Sequence, residues 1–260
     1  MADLHVHTTR SDGTVQPTQL PDIAAEVGLE AVAITDHDRL PPWSDPYRII
    51  DGLLLVSGIE LRVDAGEIGR IDLLGYGIRP TDDLTRTVEE LQVNRIDRAR
   101  RMIDRLEDTL AITLDMDLET GVGRPHLAVA VSEQTGLSEQ AVFDRYIGDG
   151  ASCYVPRDIP SFDSGRRVLE AACDFVVLAH PLRYDDPAAA LSLVDELDGI
   201  EGYYPYESPV DRSILDLLLD DPALLVTGGS DAHTIDAIGR CGLDRPAFDT
   251  LIDGMDVPMD

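Results

Sequence analysis

Three observations predict an α/β fold: short runs rich in Val, Ile and Leu recur along the chain, helix-like stretches separate them, and aromatic residues are scarce. Strands of a parallel sheet are buried on both faces and therefore read as continuous aliphatic runs alternating with helices. Hydrophobic residues make up 43% of the 260 positions and aromatic ones only 5%, so Val, Ile, Leu and Ala must supply most of the core. A chain of this length can bury a substantial one.

The apolar runs place candidate strands at 2–7, 31–35, 53–58 and 71–76, in a βα rhythm that predicts a largely parallel sheet. After residue 80 the rhythm changes. Val88, Leu91, Ile96, Ala99, Ile103 and Leu106 recur every three to five residues, which fits one long amphipathic helix, and shorter helical pieces follow through Phe143. Strand-like runs resume only later, at 175–179, 199–203 and 224–228. The expected organisation is therefore an α/β body formed by 1–79 and 155–260, interrupted by a helical insertion at 80–154. Internal repeats and low-complexity segments are absent from the sequence.

The formal net charge is -29, and all 21 fixed side-chain cations are arginines, since the chain has no lysine. Such a surface repels polyanions and strains its own compact state unless salt screens it, so the composition points to a halophilic protein and away from long duplex nucleic acid. Cys153, Cys173 and Cys241 are odd in number and lack CxxC spacing, which predicts reduced, buried, structural thiols. The N-terminus enters a motif at once and no apolar run approaches ~18 residues, so the expectation is a cytoplasmic protein without a membrane anchor.

Five of the six histidines, His5, His7, His37, His180 and His233, fall at or just beyond the ends of candidate strands; His126 does not. In a parallel α/β barrel that end carries the loops that form an active site. In Asp3-Leu4-His5-Val6-His7, side chains two apart on a strand share a side, so both imidazoles can reach one ion. Asp12, in Ser11-Asp12-Gly13, can approach a second. In Thr35-Asp36-His37-Asp38 the histidine is the candidate ligand, while Asp36 and Asp38 alternate away towards supporting contacts. Glu60 closes the strand Gly58-Ile59-Glu60, and Asp231 and His233 end the last strand as a DxH pair. Mixed imidazole and carboxylate donors at successive strand ends are what a multinuclear Zn, Mn or Fe site requires.

In its order HxH, SDG, TDHD, GIE, AHP and GSDxH, from Leu4 to His233, the sequence resembles the polymerase and histidinol phosphatase (PHP) family. The segments Gly123-Arg124-Pro125-His126 and His180-Pro181-Leu182-Arg183-Tyr184 look like the branch containing nucleoside 3',5'-bisphosphate phosphatase and a 5'-to-3' exoribonuclease of short RNA. The resemblance implies a distorted (β/α)7 barrel with a small helical insertion. It implies two or three divalent ions (Mn, Zn or Fe), which activate a water for hydrolysis of a phosphate ester. By position, His5, His7, Glu60 and Asp231 would hold one ion, Asp12, His37 and His233 a second, and Glu60 and His180 a third. Where the branch has a further histidine, this chain has Asp72, which would shift a third site towards harder ions such as Mn or weaken it. Arg124, His126 and Arg183 are candidates for substrate phosphate, and Asp36 for the proton donor. The implied substrate is a small phosphorylated nucleotide or the 5' end of short single-stranded RNA. Histidinol phosphate and a noncatalytic metal-binding role are the alternatives.

The charge makes one prediction directly. Raising salt from about 0.1 M to about 1 M shortens the Debye length from about 10 Å to about 3 Å, so the thermal midpoint followed by circular dichroism should rise across that range. A midpoint that falls or stays constant would contradict the halophilic reading.

Overall fold

The computed structural model describes residues 1–252; positions 253–260 of the expected 155–260 segment lie outside the described residues. In chain order the elements are β1 (Ala2–Val6), α1 (Leu20–Val27), β2 (Ala31–Ile34), β3 (Tyr47–Ile50), β4 (Leu53–Asp64) and β5 (Arg70–Tyr76). Next come α2 (Asp82–Leu110), α3 (Arg124–Thr135), α4 (Glu139–Val142), α5 (Phe162–Glu170) and β6 (Phe175–Leu178). The last are α6 (Pro187–Leu191), β7 (Gly199–Tyr203), α7 (Ser213–Leu219), β8 (Leu225–Gly228) and α8 (Arg245–Ile252).

One sheet runs in the order β1-β2-β4-β5-β6-β7-β8, with β3 added against β4. The two ends of this order meet. Just beyond β8, Ala232 bridges Val6 in parallel, and the His7 N–H donates to the Ala232 carbonyl at 2.9 Å. The result is the distorted barrel expected, with seven strands along its path. Its sheet is mixed rather than largely parallel, which corrects the sequence expectation. β4 pairs antiparallel with β5, and β5 with β6, whereas β1–β2, β2–β4, β6–β7 and β7–β8 are parallel. Only a short turn separates β4 from β5, closed by the Ala65 N–H on the Gly69 carbonyl at 2.8 Å. So short a link can join antiparallel strands but cannot make a parallel crossover. β4 accordingly continues to Asp64, beyond the run 53–58 that the apolar pattern marks.

Alternate residues of the strands feed two apolar clusters, as a pleat requires. Ala31 and Ala33 of β2 join Leu4, Val56, Leu74, Tyr76, Phe175 and Val177, whereas Val32 and Ile34 pack with Leu53, Leu55 and the Leu20, Ile23 and Ala24 face of α1. α1 carries Pro21 in its first turn and stops at Gly28, whose φ of 76° is the left-handed conformation glycine adopts without strain.

By its contacts the chain divides into two compact units: Met1–Arg86 with the chain from Ile159 onward, and Thr87–Asp158. Within the second unit the apolar face of α2 (Ala99, Met102, Leu106) packs on Leu127, Ala128 and Val131 of α3 and on Val142, Ile147 and Cys153. All three cysteines are free. Cys153 is buried, but Cys173 and Cys241 are only partly so, which corrects the expectation of three buried thiols. Among the described residues no helix is long and apolar enough to cross a membrane.

Closure of the barrel rests on a close backbone approach at Gly229. A Cβ there would lie 2.2 Å from His5 Cβ and 2.4 Å from His5 N. Gly229→Ala should therefore destabilise the protein by about 1–3 kcal/mol, the usual cost of overpacking. Urea unfolding checks this, and an unchanged midpoint would show that the two edges are not held this tightly.

Candidate metal centre

Six of the seven barrel strands point the same way, and β5 alone runs against them. One rim therefore collects residues from the ends of the six and from the start of the seventh. β1 carries His5 and delivers His7 just past its end, and His37 follows β2. There His37 forms an isolated parallel bridge with Glu60 of β4. Asp72 lies near the start of β5, His180 follows β6, and Asp231 and His233 follow β8. Residues as far apart in the chain as His5 and His233 thus converge without any sequence proximity.

The donors form three overlapping groups, each with ligand atoms within 4.8 Å of one another: His7, Asp12, His37 and His233; His5, His7 and Asp231; and Glu60, Asp72 and His180. Glu60 stands among them. Its Oε2 lies 2.7 Å from His37 Nδ1, 3.4 Å from His7 Nε2 and 3.6 Å from His5 Nε2, while Oε1 lies 2.8 Å from His180 Nε2. Asp231 Oδ1 is 3.0 Å from His7 Nε2 and 3.5 Å from His5 Nε2. Asp12 approaches His233 at 3.4 Å and His37 at 3.8 Å. His5, His7, Glu60, Asp72 and His180 are all at most 3% exposed.

Such burial leaves polar atoms that need a partner. His5 Nε2, both ring nitrogens of His7, Asp12 Oδ1 and Glu60 Oε2 make no hydrogen bond among the described residues. Buried imidazole nitrogens and carboxylate oxygens that face one another this closely suit a divalent cation. The electrostatics agree. Burial alone would push the His5 imidazole down, yet Glu201, Asp231 and Glu60 raise it well above the usual histidine range. His7 is pushed down by burial and by His37. Against the upward push of burial, His37 and His5 hold Glu60 well below the ordinary carboxylate range, and His5 and His7 do the same for Asp231. The pocket holds negative charge that attracts any cation, proton or metal, and the two compete for the same atoms.

A surrounding shell fixes these donors. Glu201, which sequence reasoning missed, accepts the His180 N–H at 2.6 Å through Oε2 and sits 2.9 Å from His5 Nδ1 through Oε1. Asp3, also missed, accepts from the N–H and Oγ–H of Ser230 at 2.9 and 2.6 Å and from the Gly239 N–H at 2.8 Å; burial raises its carboxyl to about 6. The signal available in sequence was a carboxylate inside an apolar strand, a placement that demands a partner. Asp36 Oδ1 accepts from the Thr8 N–H and Ser11 Oγ at 2.7 and 2.6 Å, and Oδ2 from Thr8 Oγ1 at 2.7 Å. These three bonds anchor the turn that presents Asp12. Asp38, His180 and Asp231 are three of the five described non-glycine residues with positive φ, at 50°, 27° and 51°. Backbone strain of this kind concentrates where surrounding structure must aim a side chain.

Beside Asp231 and His233 opens a cavity of about 600 Å³ lined in part by Arg183, Tyr204, Tyr206 and Arg240. Arg183 Nη1 and the Tyr204 hydroxyl both donate to Asp231 Oδ2, at 3.0 and 2.9 Å, which leaves Oδ1 for the imidazoles. Arg124 and His126 lie in the second unit. There Arg124 donates to Asp149 at 2.8 Å, and His126 Nδ1 accepts the Gly123 N–H at 3.1 Å at the start of α3.

The family profile described as PHP domain matches residues 3–138. A 3',5'-nucleoside bisphosphate phosphatase of Chromobacterium violaceum is 28% identical, over 92% of this chain and 89% of its own. The 5'-3' exoribonuclease Rnm of Escherichia coli is 32% identical, over 89% and 84% respectively. Among solved structures, a Bifidobacterium adolescentis protein whose suggested role is metal-dependent phosphoesterase superposes with a TM-score of 0.77 at 26% identity. That match covers 97% of this chain and 96% of the other.

Glu201 orients two donors at once, so Glu201→Gln, which keeps the shape and removes the charge, should weaken metal affinity by about 10- to 100-fold. Equilibrium dialysis against Mn²⁺ measures it. Unchanged affinity would show that Glu201 does not position His5 and His180.

Proposed function

Because this chain belongs to the PHP domain family, we propose that it is a metal-dependent phosphoesterase that hydrolyses a phosphate monoester of a small nucleotide, such as a nucleoside 3',5'-bisphosphate, or of the 5' end of a short RNA. The observation that carries this reading is the set of buried, unsatisfied nitrogen and oxygen atoms of His5, His7, Asp12 and Glu60 turned towards one another at the barrel rim.

In this reading His5, His7 and Asp231 would hold one ion and Asp12, His37 and His233 another, with Glu60 as a further donor. Bound there, divalent ions supply Lewis acidity, an activated water at neutral pH and neutralisation of phosphate charge. The chain's own residues do the positioning. Tyr204 and Arg183 fix Asp231 through Oδ2, and Glu201 and Asp3 fix the β1 and β8 ends. Arg183 keeps a half-exposed guanidinium at the edge of the cavity, where it can meet a phosphate oxygen while still bonded to Asp231.

The cavity favours a small substrate. About 600 Å³ falls inside the range of roughly 300–1,000 Å³ usual for small-molecule sites. Tyr204 and Tyr206, 4.8 Å apart between ring centroids, offer an aromatic wall for a planar base, and Arg183 and Arg240 offer positive charge. In a chain of net charge -29, such a patch is where an anion is tolerated, and a short strand can enter by its terminal phosphate alone. Arg124 and His126 are proposed as phosphate contacts; since Arg124 already pairs with Asp149, a phosphate there would have to displace the carboxylate.

The test compares adenosine 3',5'-bisphosphate, a 5'-phosphorylated short RNA and histidinol phosphate in molar salt with added Mn²⁺. The nucleotide substrates should be preferred. His7→Ala and Asp231→Asn should each lower turnover by about three orders of magnitude or more, since each removes a donor that holds several kcal/mol of charge stabilisation in place. Preference for histidinol phosphate would move the substrate assignment, and full activity in His7→Ala would remove the metal mechanism.

A further inference from the structure

The third donor group differs from the other two in one respect. Asp72 is spanned by a guanidinium: Arg62 Nε donates to Oδ1 at 2.7 Å and Nη2 to Oδ2 at 2.6 Å. The pairing is imposed by the fold, because Arg62 and Asp72 are direct cross-strand partners in the β4–β5 hairpin. Asp72 is 1% exposed, and its Oδ2 lies 3.7 Å from His180 Nε2. His180 Nε2 in turn meets Glu60 Oε1 at 2.8 Å. None of these facing atoms is among the unsatisfied ones, in contrast to His5 Nε2, His7 Nε2, Asp12 Oδ1 and Glu60 Oε2.

We infer that Arg62 stands in for a third cation beside Glu60, Asp72 and His180, so that the centre is binuclear, with a fixed guanidinium completing its positive charge. The inference rests on the metal reading above. Its chemistry is direct. A buried carboxylate needs a counter-charge, and a planar fork bonded through two N–H groups supplies one while occupying both carboxylate oxygens. A divalent ion at this group would have to displace the guanidinium and would then place two cations side by side. Arg62 uses Nε and Nη2 for Asp72, and Nη1 carries two further N–H groups that suit a substrate phosphate oxygen.

Removing the guanidinium leaves Asp72 buried beside Glu60 and His180 with no counter-charge, which is the condition under which a third ion binds. Metal content per chain, measured by inductively coupled plasma mass spectrometry after equilibration with Mn²⁺ and removal of free ion, should be about two in the wild type. It should rise to about three in Arg62→Met and stay at about two in Arg62→Lys. Arg62→Gln, closer in size, repeats the test should Arg62→Met not fold. About three ions in the wild type would overturn the proposal whatever the variants do, and so would about two in both neutral variants. A wild type that binds none would instead overturn the metal reading itself, a distinct result.

Discussion

Several carboxylates and imidazoles crowd together at one rim, most of them with little exposure to water, and that constraint governs the rest of the molecule. Glu60 and Asp72 are each 1% exposed, and His5 and His7 are fully buried. Isolated ions in such surroundings are costly unless paired or bound to a cation. The fold answers in two ways. At Asp72 it supplies Arg62 from the neighbouring strand, and at Asp3 it supplies backbone and hydroxyl donors. Around His5, His7, Asp12 and Glu60 it supplies neither, and the donors face each other.

The barrel makes that concentration possible. Six co-directional strands bring their ends to one rim, and the reversed β5 adds its beginning. Closure through Val6 and Ala232 sets β1 against the segment after β8, and Gly229 lets the backbones come close enough for Asp231 and His233 to face His7. Packing, strain and chemistry are thus linked. The positive φ at His180 and Asp231 is sustained by the Glu201 and Ser230 hydrogen-bond networks around them.

Much of this was legible in the sequence, and the reasons are physical. Histidines directly after aliphatic runs, such as Val176-Val177-Leu178-Ala179-His180, mark strand ends because a buried strand does not accept an unpartnered imidazole. The strands at 31–35, 71–76 and 199–203 are apolar enough to be read within a residue or two. β3 escaped because Tyr47–Ile50 is short, carries an arginine and lies at an edge with two of its residues exposed. The β4–β5 hairpin escaped because beyond its continuous apolar run β4 changes to alternation, with Ile59, Leu61 and Val63 between Glu60, Arg62 and Asp64, a pattern that a search for unbroken aliphatic runs passes over. With the hairpin went the role of Arg62, since a cross-strand pair depends on register and not on spacing. Glu201 and Asp3 were visible as charges inside strands, but which groups they would hold is decided by strands far away in the chain.

The central claim is that His5, His7 and Asp231, and likewise Asp12, His37 and His233, each cage a divalent ion. Crystals grown with Mn²⁺ and measured at wavelengths on both sides of its absorption edge test this most directly. The account predicts anomalous peaks within bonding distance of both groups of side chains; a well-ordered barrel with its imidazoles in place and no peak between them would contradict it.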